Sequence, residues 1–344
     1  MTAPLASSPA TFLRGLFDAA VAAADPMRTV PAALPPKPPG RVLVIGAGKA
    51  SARMAEAVES VWGPCEGLVI TRYGHARPTQ GIEIVEAAHP VPDAAGVAAT
   101  DRMLALLDGV GEDDFVLALI SGGGSALLIR PAGAITLAEK QKVNADLLAS
   151  GAPIGQMNTL RKHLSRVKGG QLAAAAHPAR MLALMISDVP GDEPASIASG
   201  PTVGDVTTPA DARAILDRWA ITPPASVATV LADETGVLRP DDPRLARIEN
   251  RVIAAPSQSL AAAAGIARAS GCRVEILGDA LEGEARTLAA DHAALALARQ
   301  VAMAPDAAPL VLLSGGECTV TRRGDGIGGP NAEYALAMAA ALDG

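Results

Sequence analysis

Short apolar runs alternate with stretches of helical length along most of this chain, and this alternation limits the possible folds more than any other feature. The first five runs are rich in leucine or β-branched residues and show no clean polar alternation, as is typical of strands buried on both faces. They are residues 41–45, 68–71, 82–85, 116–120 and 181–186. The helix-length stretches between them are residues 49–61, 93–107, 137–149 and 159–176. The sequence therefore predicts an α/β fold with a largely parallel sheet flanked by helices.

The length of the chain and a break in this pattern predict two domains. At 344 residues the chain exceeds the size at which one hydrophobic core usually stops growing. The pattern weakens between residues 201 and 250, where prolines and acidic residues collect, and then resumes in four runs. These are residues 252–255, 273–277, 310–313 and 318–321. We predict a first domain over 1–245 and a second α/β domain over 246–344. Within the first, the proline-rich segment 30–40 links an N-terminal helix to the first strand.

Composition excludes several classes of function. A net charge of -7 argues against general nucleic-acid binding, and 2% aromatic residues argue against a base-stacking surface. No apolar run reaches the roughly 18 to 20 residues that a membrane span needs. The three cysteines are odd in number and far apart, so we expect a reducing cytoplasm instead of a disulfide framework. A binder or enzyme of small molecules remains.

Four predicted strands end in loops with unusual chemistry. The loops are GAGKAS (46–51), SGGGSA (121–126), SDVPGDEP (187–194) and SGGE (314–317). Ligands bind outside the carboxyl ends of strands in an open parallel sheet. Glycines at these ends let backbone amides wrap an anion. The sequence therefore predicts one anion site where these loops meet.

The two glycine-rich loops of the first domain differ in what they indicate. GAGKAS matches a dinucleotide fingerprint only in part, because Ser51 stands where Gly or Ala is expected. A structural turn and an anion site both stay open for it, and Lys49 favours the anion site by adding a mobile positive charge. Three consecutive glycines in SGGGSA sacrifice backbone order without any gain in packing. This second loop is therefore predicted to bind phosphate, with a plain connecting loop as the alternative.

Acidic and basic residues follow at other points of the first domain. Asp188 and Asp192 suit Mg²⁺ binding if they face a phosphate loop, although a solvated turn stays open. Segment 158–170 contains four basic residues and no acid, and at helical spacing Asn158 and Arg161 share a face. That face is predicted to attract a carboxylate or polyphosphate, with an ordinary solvated helix face as the alternative. His89, between a strand end and two prolines, suits a structural or substrate-contacting role better than metal binding.

Together the motifs closely resemble the type II glycerate 2-kinases. The matching stretches, in the family's order, are GAGKAS (46–51), TRYGH (71–75), HPVPD (89–93), SGGGSALL (121–128), KHLSRVKGGQLA (162–173), SDVPGD (187–192), SGPT (199–202), SGGE (314–317) and GGPNAEYALA (328–337). The resemblance implies that ATP and D-glycerate give 2-phosphoglycerate and ADP with Mg²⁺, in a cleft between a Rossmann-like domain and a MOFRL domain. Family members continue through a further acidic, glycine-rich segment, so we expect the second domain to be incomplete here.

The residues and the resemblance together give a set of predicted roles. Lys49, Asp188 and Asp192 are predicted to be catalytic, with the aspartates binding Mg²⁺ or one of them accepting the glycerate proton. The predicted substrate-binding residues are Arg161, Lys162, His89 and Asn158. The predicted nucleotide-binding residues are Gly46, Gly48, Ser121, Gly122, Gly123, Gly124, Ser125, Gly315, Gly316, Glu317 and Asn331. Of these, Glu317 and Asn331 are expected to close the site from the second domain.

Two other functions remain open from the sequence. An NAD(P)H-dependent hydroxypyruvate reductase would use the partial G-x-G turn, with Glu66 loosely placed as the ribose ligand. A non-catalytic sensor of sugar acids or nucleotides would bind ligand without turnover. Lys49 and the acidic residues at neighbouring strand ends argue for an enzyme. Assembly as a homodimer is left open.

Overall fold

The computed structural model describes residues 8–321 and 323–343, which form eight strands and thirteen α-helices. The strands are β1 (Val42–Ala47), β2 (Glu66–Arg72), β3 (Ile82–Ala87), β4 (Phe115–Ser121), β5 (Arg180–Ile186), β6 (Ile248–Ala254), β7 (Arg273–Glu284) and β8 (Leu310–Thr319). The helices are α1 (Pro9–Ala23), α2 (Pro26–Ala33), α3 (Ser51–Trp62), α4 (Ala94–Leu107), α5 (Gly124–Leu127), α6 (Leu137–Ser150), α7 (Ile154–His163), α8 (Gln171–Ala175), α9 (Pro209–Arg218), α10 (Ala225–Ala232), α11 (Pro256–Ala269), α12 (Ala285–Ala302) and α13 (Pro330–Ala341).

The chain divides into two compact units, and their limits differ from those expected. One unit is Pro26–Ala254; the other joins the described residues up to Asp25 with those from Ala255 onward. Run 252–255, assigned from the sequence to the second domain, lies mostly in β6, which pairs with β5 of the first sheet. Helix α1 belongs with α11 in the other unit, because Leu16 is buried against Ala263 and Ala267. Local pattern alone does not show either long-range pairing.

The larger unit contains a six-stranded parallel sheet with the order β3-β2-β1-β4-β5-β6. This confirms the predicted α/β class and the five predicted strands of the first domain. The strand order reverses between β1 and β4, which are neighbours in the sheet although β2 and β3 separate them in sequence. In such sheets the carboxyl ends at the reversal leave a crevice in which ligands bind.

Both faces of this sheet are covered, which explains the apolar runs without polar alternation. Successive side chains of a strand point to opposite faces. Accordingly Leu43 and Ile45 of β1 belong to one buried cluster with residues of α4, whereas Val44 belongs to another with residues of α3. The sheet is thus a rigid layer between two apolar cores.

Two local predictions are wrong. Stretch 159–176 does not form one helix: α7 ends at His163, and Gly169 and Gly170 take positive φ angles of 58° and 81° before α8 begins. The proline-rich segment 30–40 is not a linker throughout, because α2 extends to Ala33 with Pro31 inside it. The Leu34 amide donates to the Val30 carbonyl oxygen at 3.0 Å and so continues this helical turn.

The smaller unit has a two-stranded parallel sheet of β7 and β8 with α1, α11, α12 and α13. The two runs predicted as separate strands at 310–313 and 318–321 lie largely in the single strand β8, because SGGE continues the pairing with β7. The assignment of this unit as a MOFRL domain stays a prediction. Across the described parts of the chain, none of the helices combines the length and apolarity needed to cross a membrane.

Replacing Ile70 with alanine tests the contribution of the central sheet. Ile70 lies in β2 and is 0% exposed, so Ile70→Ala should lower the free energy of unfolding by about 2–5 kcal/mol through lost burial and a residual cavity. Urea denaturation of the purified protein measures this. Ile154→Ala is the control, because Ile154 is 53% exposed and its change should stay within about 0.5 kcal/mol. Equal losses in both variants would contradict the assigned core.

Candidate functional site

The loops after β1 and β4 meet at the strand-order reversal and are joined by hydrogen bonds. The Lys49 amide donates to the Gly122 carbonyl oxygen at 2.8 Å. The Ala50 amide donates to the Ser121 hydroxyl oxygen at 3.0 Å, and the hydroxyls of Ser51 and Ser121 lie 3.1 Å apart. These bonds fix the start of α3, and with it the backbone of Lys49, beside the triple glycine.

The first glycine-rich loop has a structural role. Its amides are already used, since those of Gly48 and Ser51 donate to the carbonyl oxygens of Ile70 and Gly48, at 3.1 and 3.3 Å. A Cβ on Gly46 would overlap the Leu119 carbonyl oxygen, and one on Gly48 would overlap the Ser121 hydroxyl. These glycines therefore permit close approach of β1 and β4.

Three predicted nucleotide ligands consequently need correction. Gly46 and Gly48 serve strand packing, and no free amide at Gly48 is available to bind a pyrophosphate. Ser121 is 1% exposed and its hydroxyl is engaged by Ala50 and Ser51. None of these three residues is retained in our assignment of the nucleotide site.

The second glycine-rich loop has the opposite character. Within residues 8–321 and 323–343, no acceptor is found for the consecutive amides of residues 122–125. Gly123 has a φ of 82°, a left-handed conformation that suits glycine. Successive unpaired amides in such a turn form a concavity that binds anions. The backbone amides of Gly122, Gly123, Gly124 and Ser125 are thus available to an anion, and their role as phosphate ligands stays a prediction.

Lys49, His89 and Asp188 surround this loop. The Lys49 Nζ and Asp188 Oδ2 atoms are 3.1 Å apart, and the two side chains are 40% and 39% exposed. A Cβ on Gly123 would lie 3.0 Å from both Nε2 of His89 and Cγ of Lys49, and one on Gly122 would overlap the Asp188 carboxylate. A cation, an imidazole and a carboxylate therefore lie beside Gly122 and Gly123.

His89 is held neutral by its surroundings. Burial is the main cause that lowers the pKa of its imidazole, and the nearby cations Lys49 and Arg72 lower it further against the opposing effect of Asp188. At neutral pH the ring therefore offers one N–H donor and one acceptor nitrogen. This suits contact with a hydroxylated substrate.

Asp192 combines an unusual backbone with an unpaired oxygen. It ends the short turn Pro190–Asp192 with a φ of 54°. Its Oδ1 atom is buried and has no hydrogen-bond partner within the described chain. The residues given by the structure contain no group of three or more His, Cys, Asp or Glu side chains that could hold a metal by themselves. Any cation at Asp192 would therefore need ligands beyond such side chains, such as hydroxyl, substrate or water oxygens.

A hydrogen-bonded chain connects the second loop to Arg161. The hydroxyls of Ser125 and Ser199 are 2.7 Å apart. Ser199 donates to Asn158 Oδ1 at 3.3 Å, and Arg161 Nη1 donates to the same oxygen at 3.2 Å. Arg161 Nε also donates to Asn144 Oδ1 at 3.1 Å. Burial lowers the pKa of Arg161, whose remaining donors have no acidic partner in the described residues.

Lys162 is unavailable for the substrate role predicted from the sequence. Its side chain is buried and forms an ion pair with Asp205, whose carboxylate also accepts the Thr207 amide at 2.8 Å. Burial alone would raise the pKa of Asp205, but hydrogen bonds from Lys162 and Thr207 outweigh it and lower that pKa. The charge of Lys162 is therefore already neutralised inside the fold.

The basic segment is mostly interior and does not form the predicted positive surface. Lys168 is 0% exposed, and its Nζ donates to the carbonyl oxygens of Leu128 and Ala198 at 3.0 and 3.4 Å. Burial, assisted by the charges of Lys140 and Arg161, holds its pKa well below the usual range. The reason is that the chain turns after α7, so helical spacing does not apply to residues 164–170.

The remaining predicted site residues lie in the smaller unit or at the opposite edge of the sheet. Gly315, Gly316 and Glu317 lie in β8, and Asn331 lies in the first turn of α13. Nucleotide binding by these four residues stays a prediction, as does closure of the site by Glu317 and Asn331. Glu66 begins β2, at the end remote from the glycine loops, and pairs with Arg41 at 2.7 Å. It cannot serve as a ribose ligand at the carboxyl ends.

Ser199 was missed as a site residue. It is fully buried with a φ of 63°, which is unusual for a residue other than glycine. Its contacts with Ser125 and Asn158 join distant parts of the sequence. The motif SGPT (199–202) was the available signal, but nothing in the motif itself indicates what its serine contacts.

Known proteins resemble this chain in sequence and in fold. Residues 12–232 match the family described as a domain of unknown function (DUF4147). A relative from Agrobacterium vitis with the provisional name hydroxypyruvate reductase is 52% identical, over 96% of this chain and 76% of its own. The D-glycerate 2-kinase of Thermotoga maritima is 39% identical, over 94% of this chain and 77% of its own. A glycerate kinase crystal structure from Thermotoga maritima has a TM-score of 0.84 at 37% identity, covering 96% of this chain and 80% of that chain.

Asp205→Asn tests whether Lys162 belongs to the fold. The variant leaves a buried lysine unpaired, so the free energy of unfolding near neutral pH should fall by about 3–5 kcal/mol. Because the pKa of Asp205 is lowered on folding, its contribution is present above the unfolded pKa and is lost as pH falls through the folded value. The gap between wild type and variant should therefore narrow below about pH 4. Urea denaturation across pH measures both effects.

The double variant Lys162→Met, Asp205→Asn is the control for this prediction. It removes the buried charge as well as its partner, while the amide at position 205 can still accept from Thr207. Most of the lost stability should return. If Lys162→Met alone left stability intact and raised KM for a substrate, the structural assignment of Lys162 would be wrong.

Proposed function

This chain belongs to the glycerate 2-kinase family, and we propose that it transfers the γ-phosphoryl group of ATP to the 2-hydroxyl of D-glycerate. The products are 2-phosphoglycerate and ADP. One observation carries the proposal: Lys49 and Asp188, 3.1 Å apart, lie beside Gly122 and Gly123 at the strand-order reversal, in a loop whose four consecutive amides have no acceptor among the described residues. Phosphoryl transfer needs this combination of anion-binding amides, a mobile cation and a base, with little covalent chemistry by the protein.

The loop after β4 positions the phosphates. The amides of Gly122, Gly123 and Gly124 can donate to phosphate oxygens without breaking any hydrogen bond of the fold, since the described residues give them no acceptor. The bonds from Lys49 and Ala50 to the Gly122 carbonyl oxygen and the Ser121 hydroxyl hold this loop in place. Such preorganised donors stabilise the charge that develops during transfer.

Lys49 and Asp188 act on the transferred group and its acceptor. The lysine neutralises charge on the γ-phosphoryl oxygens as the bond to the leaving ADP oxygen breaks. As the new O–P bond forms, Asp188 accepts the proton from the glycerate hydroxyl. The two side chains are each about two-fifths exposed, so substrate can reach both without a rearrangement of the core.

Mg²⁺ fits the residues at this site. The Asp192 Oδ1 atom is buried without a partner among the described residues, and carboxylate oxygen is a ligand that Mg²⁺ prefers. Mg²⁺ in kinases is commonly held by one or two carboxylates together with phosphates and water. Asp192, and Asp188 when it is not serving as base, would hold the cation, which supplies charge neutralisation on the phosphates.

Arg161 is our candidate for the glycerate carboxylate. The guanidinium is held in place because it donates hydrogen bonds to the neutral amide oxygens of Asn144 and Asn158. A half-buried guanidinium without an acidic partner in the described chain favours an anionic ligand, which it can bind through two donors. Asn158 orients Arg161, and His89 contacts the substrate from the β3 side of the loop.

The hypothesis that this chain is a hydroxypyruvate reductase depends on the provisional name of the Agrobacterium vitis relative and on the partial G-x-G turn. A dinucleotide would need free amides after β1 and an acidic residue at the carboxyl end of β2. Here the Gly48 and Lys49 amides bond to Ile70 and Gly122, and β2 ends in Thr71 and Arg72. Kinase chemistry fits the site better.

The cytoplasmic location predicted from the sequence stays a proposal. Cys65, Cys272 and Cys318 are all free, and the first two are buried. We infer a reducing cytoplasm from these thiols. A homodimer stays open.

Lys49→Ala tests the assignment of the catalytic cation. Loss of this preorganised charge should lower kcat by about 10²- to 10³-fold, or about 3–4 kcal/mol, with little change in thermal unfolding. Steady-state kinetics with D-glycerate and Mg-ATP measures the effect. Lys142→Ala is the matched control, because Lys142 pairs with Asp146 on the outer side of α6, and its kcat should match wild type. A Lys49→Ala enzyme of normal turnover would overturn the role.

The reaction itself is tested by product formation. Coupled detection of ADP should show turnover that requires both ATP and D-glycerate, and no oxidation of NADH should follow addition of hydroxypyruvate. The reason is that the amides after β1 already donate hydrogen bonds within the fold and cannot bind a dinucleotide. NADH oxidation without ADP release would favour the reductase, and ligand binding without either reaction would favour a sensor.

A further inference from the structure

The hydrogen-bonded chain from Arg161 to Ser125 has a fixed direction. A guanidinium only donates, so the Asn158 atom that faces Arg161 must be its oxygen. Ser199 then donates its single hydroxyl proton to that oxygen. Ser125, 2.7 Å from Ser199, must therefore donate its own proton to the Ser199 oxygen. The direction follows from proton counting along the chain.

The Ser125 hydroxyl consequently offers only lone pairs to a ligand. A phosphate oxygen also presents lone pairs and needs a donor, so this hydroxyl does not suit it, although the Ser125 amide does. Ser125 is partly exposed, whereas Ser199 is 0% exposed and Asn158 is 7% exposed. The buried residues Ser199 and Asn158 thus set the orientation of the Ser125 hydroxyl, and Ser125 presents its oxygen at the accessible end of these hydrogen bonds.

We propose that the Ser125 hydroxyl oxygen is a ligand of the divalent cation that accompanies ATP, held as an acceptor by Ser199 and Asn158. The inference rests on the proposed kinase function and extends it to a residue that the sequence assigned only to phosphate. Hard divalent cations take neutral oxygen ligands alongside carboxylates. Asp192, whose buried Oδ1 atom has no hydrogen-bond partner in the part of the chain that the structure describes, follows β5, and β5 pairs with the strand that precedes Ser125.

Ser199 is the positioning residue in this arrangement. Its left-handed backbone, with a φ of 63°, is one that glycine adopts readily. Ser199→Gly therefore removes the hydroxyl without adding backbone strain, and its carbonyl can still accept the Gly169 amide. In this variant the Ser125 proton loses its acceptor, so its hydroxyl is free to rotate and no longer presents only lone pairs.

Manganese binding in the presence of ADP tests the proposal without relying on turnover. The free Mn²⁺ signal in electron paramagnetic resonance gives the affinity of the Mn²⁺·ADP complex, and calorimetry gives that of metal-free ADP. Ser125→Ala should weaken Mn²⁺ binding by about ten-fold or more, and Ser199→Gly should weaken it in the same direction by a smaller factor. Metal-free ADP should bind each variant as it binds wild type.

Ser60→Ala is the matched control, because Ser60 donates within α3 to Ala57 at 2.7 Å; its Mn²⁺ affinity should equal that of wild type. Unchanged Mn²⁺ affinity in Ser125→Ala would overturn the proposal. So would an equal loss of metal-free ADP binding, which would place Ser125 on the nucleotide, or a loss confined to D-glycerate binding. A wild type that binds no ADP at all would overturn the kinase function itself, and the Ser125 assignment with it.

Discussion

The reversal of strand order between β1 and β4 is the constraint on which the site depends. It brings two loops that are distant in sequence to one edge of the sheet. The bond from the Lys49 amide to the Gly122 carbonyl oxygen then sets their relative position. Lys49 extends from one loop, and the amides of the other have no acceptor among the described residues and can bind a ligand. The rest of the site is assembled around this contact.

The two glycine-rich loops have similar sequences but differ in whether their backbone amides are hydrogen-bonded within the fold. After β1 the amides of Gly48 and Lys49 are paired within the fold, and glycine serves close packing of strands. After β4 the amides of residues 122–125 lack acceptors in the described chain. An anion therefore binds at the second loop without competing with the fold. This difference favours phosphoryl transfer over dinucleotide chemistry, although the strand order of the sheet suits both.

The sequence predicted the strands and the loops because both follow from local chemistry. Five apolar runs became β1 to β5, and Lys49, Gly123 and Asp188 meet because parallel strands share a carboxyl edge. Pairing between side chains distant in sequence could not be predicted. In the sequence alone Lys162 has no visible partner, and only the fold shows its ion pair with Asp205.

Periodicity also misled where it was extended across a turn. The helical spacing assumed for residues 158–170 fails after His163, and the segment enters the interior. Lys49 and Asp188 form an exposed ion pair. Exposed pairs of this kind contribute less than about 1 kcal/mol, so the lysine can change partners at little cost. Asp188 is thus an exchangeable partner of Lys49: a multiply charged phosphate chain replaces the carboxylate readily, whereas a monovalent anion such as chloride replaces it poorly.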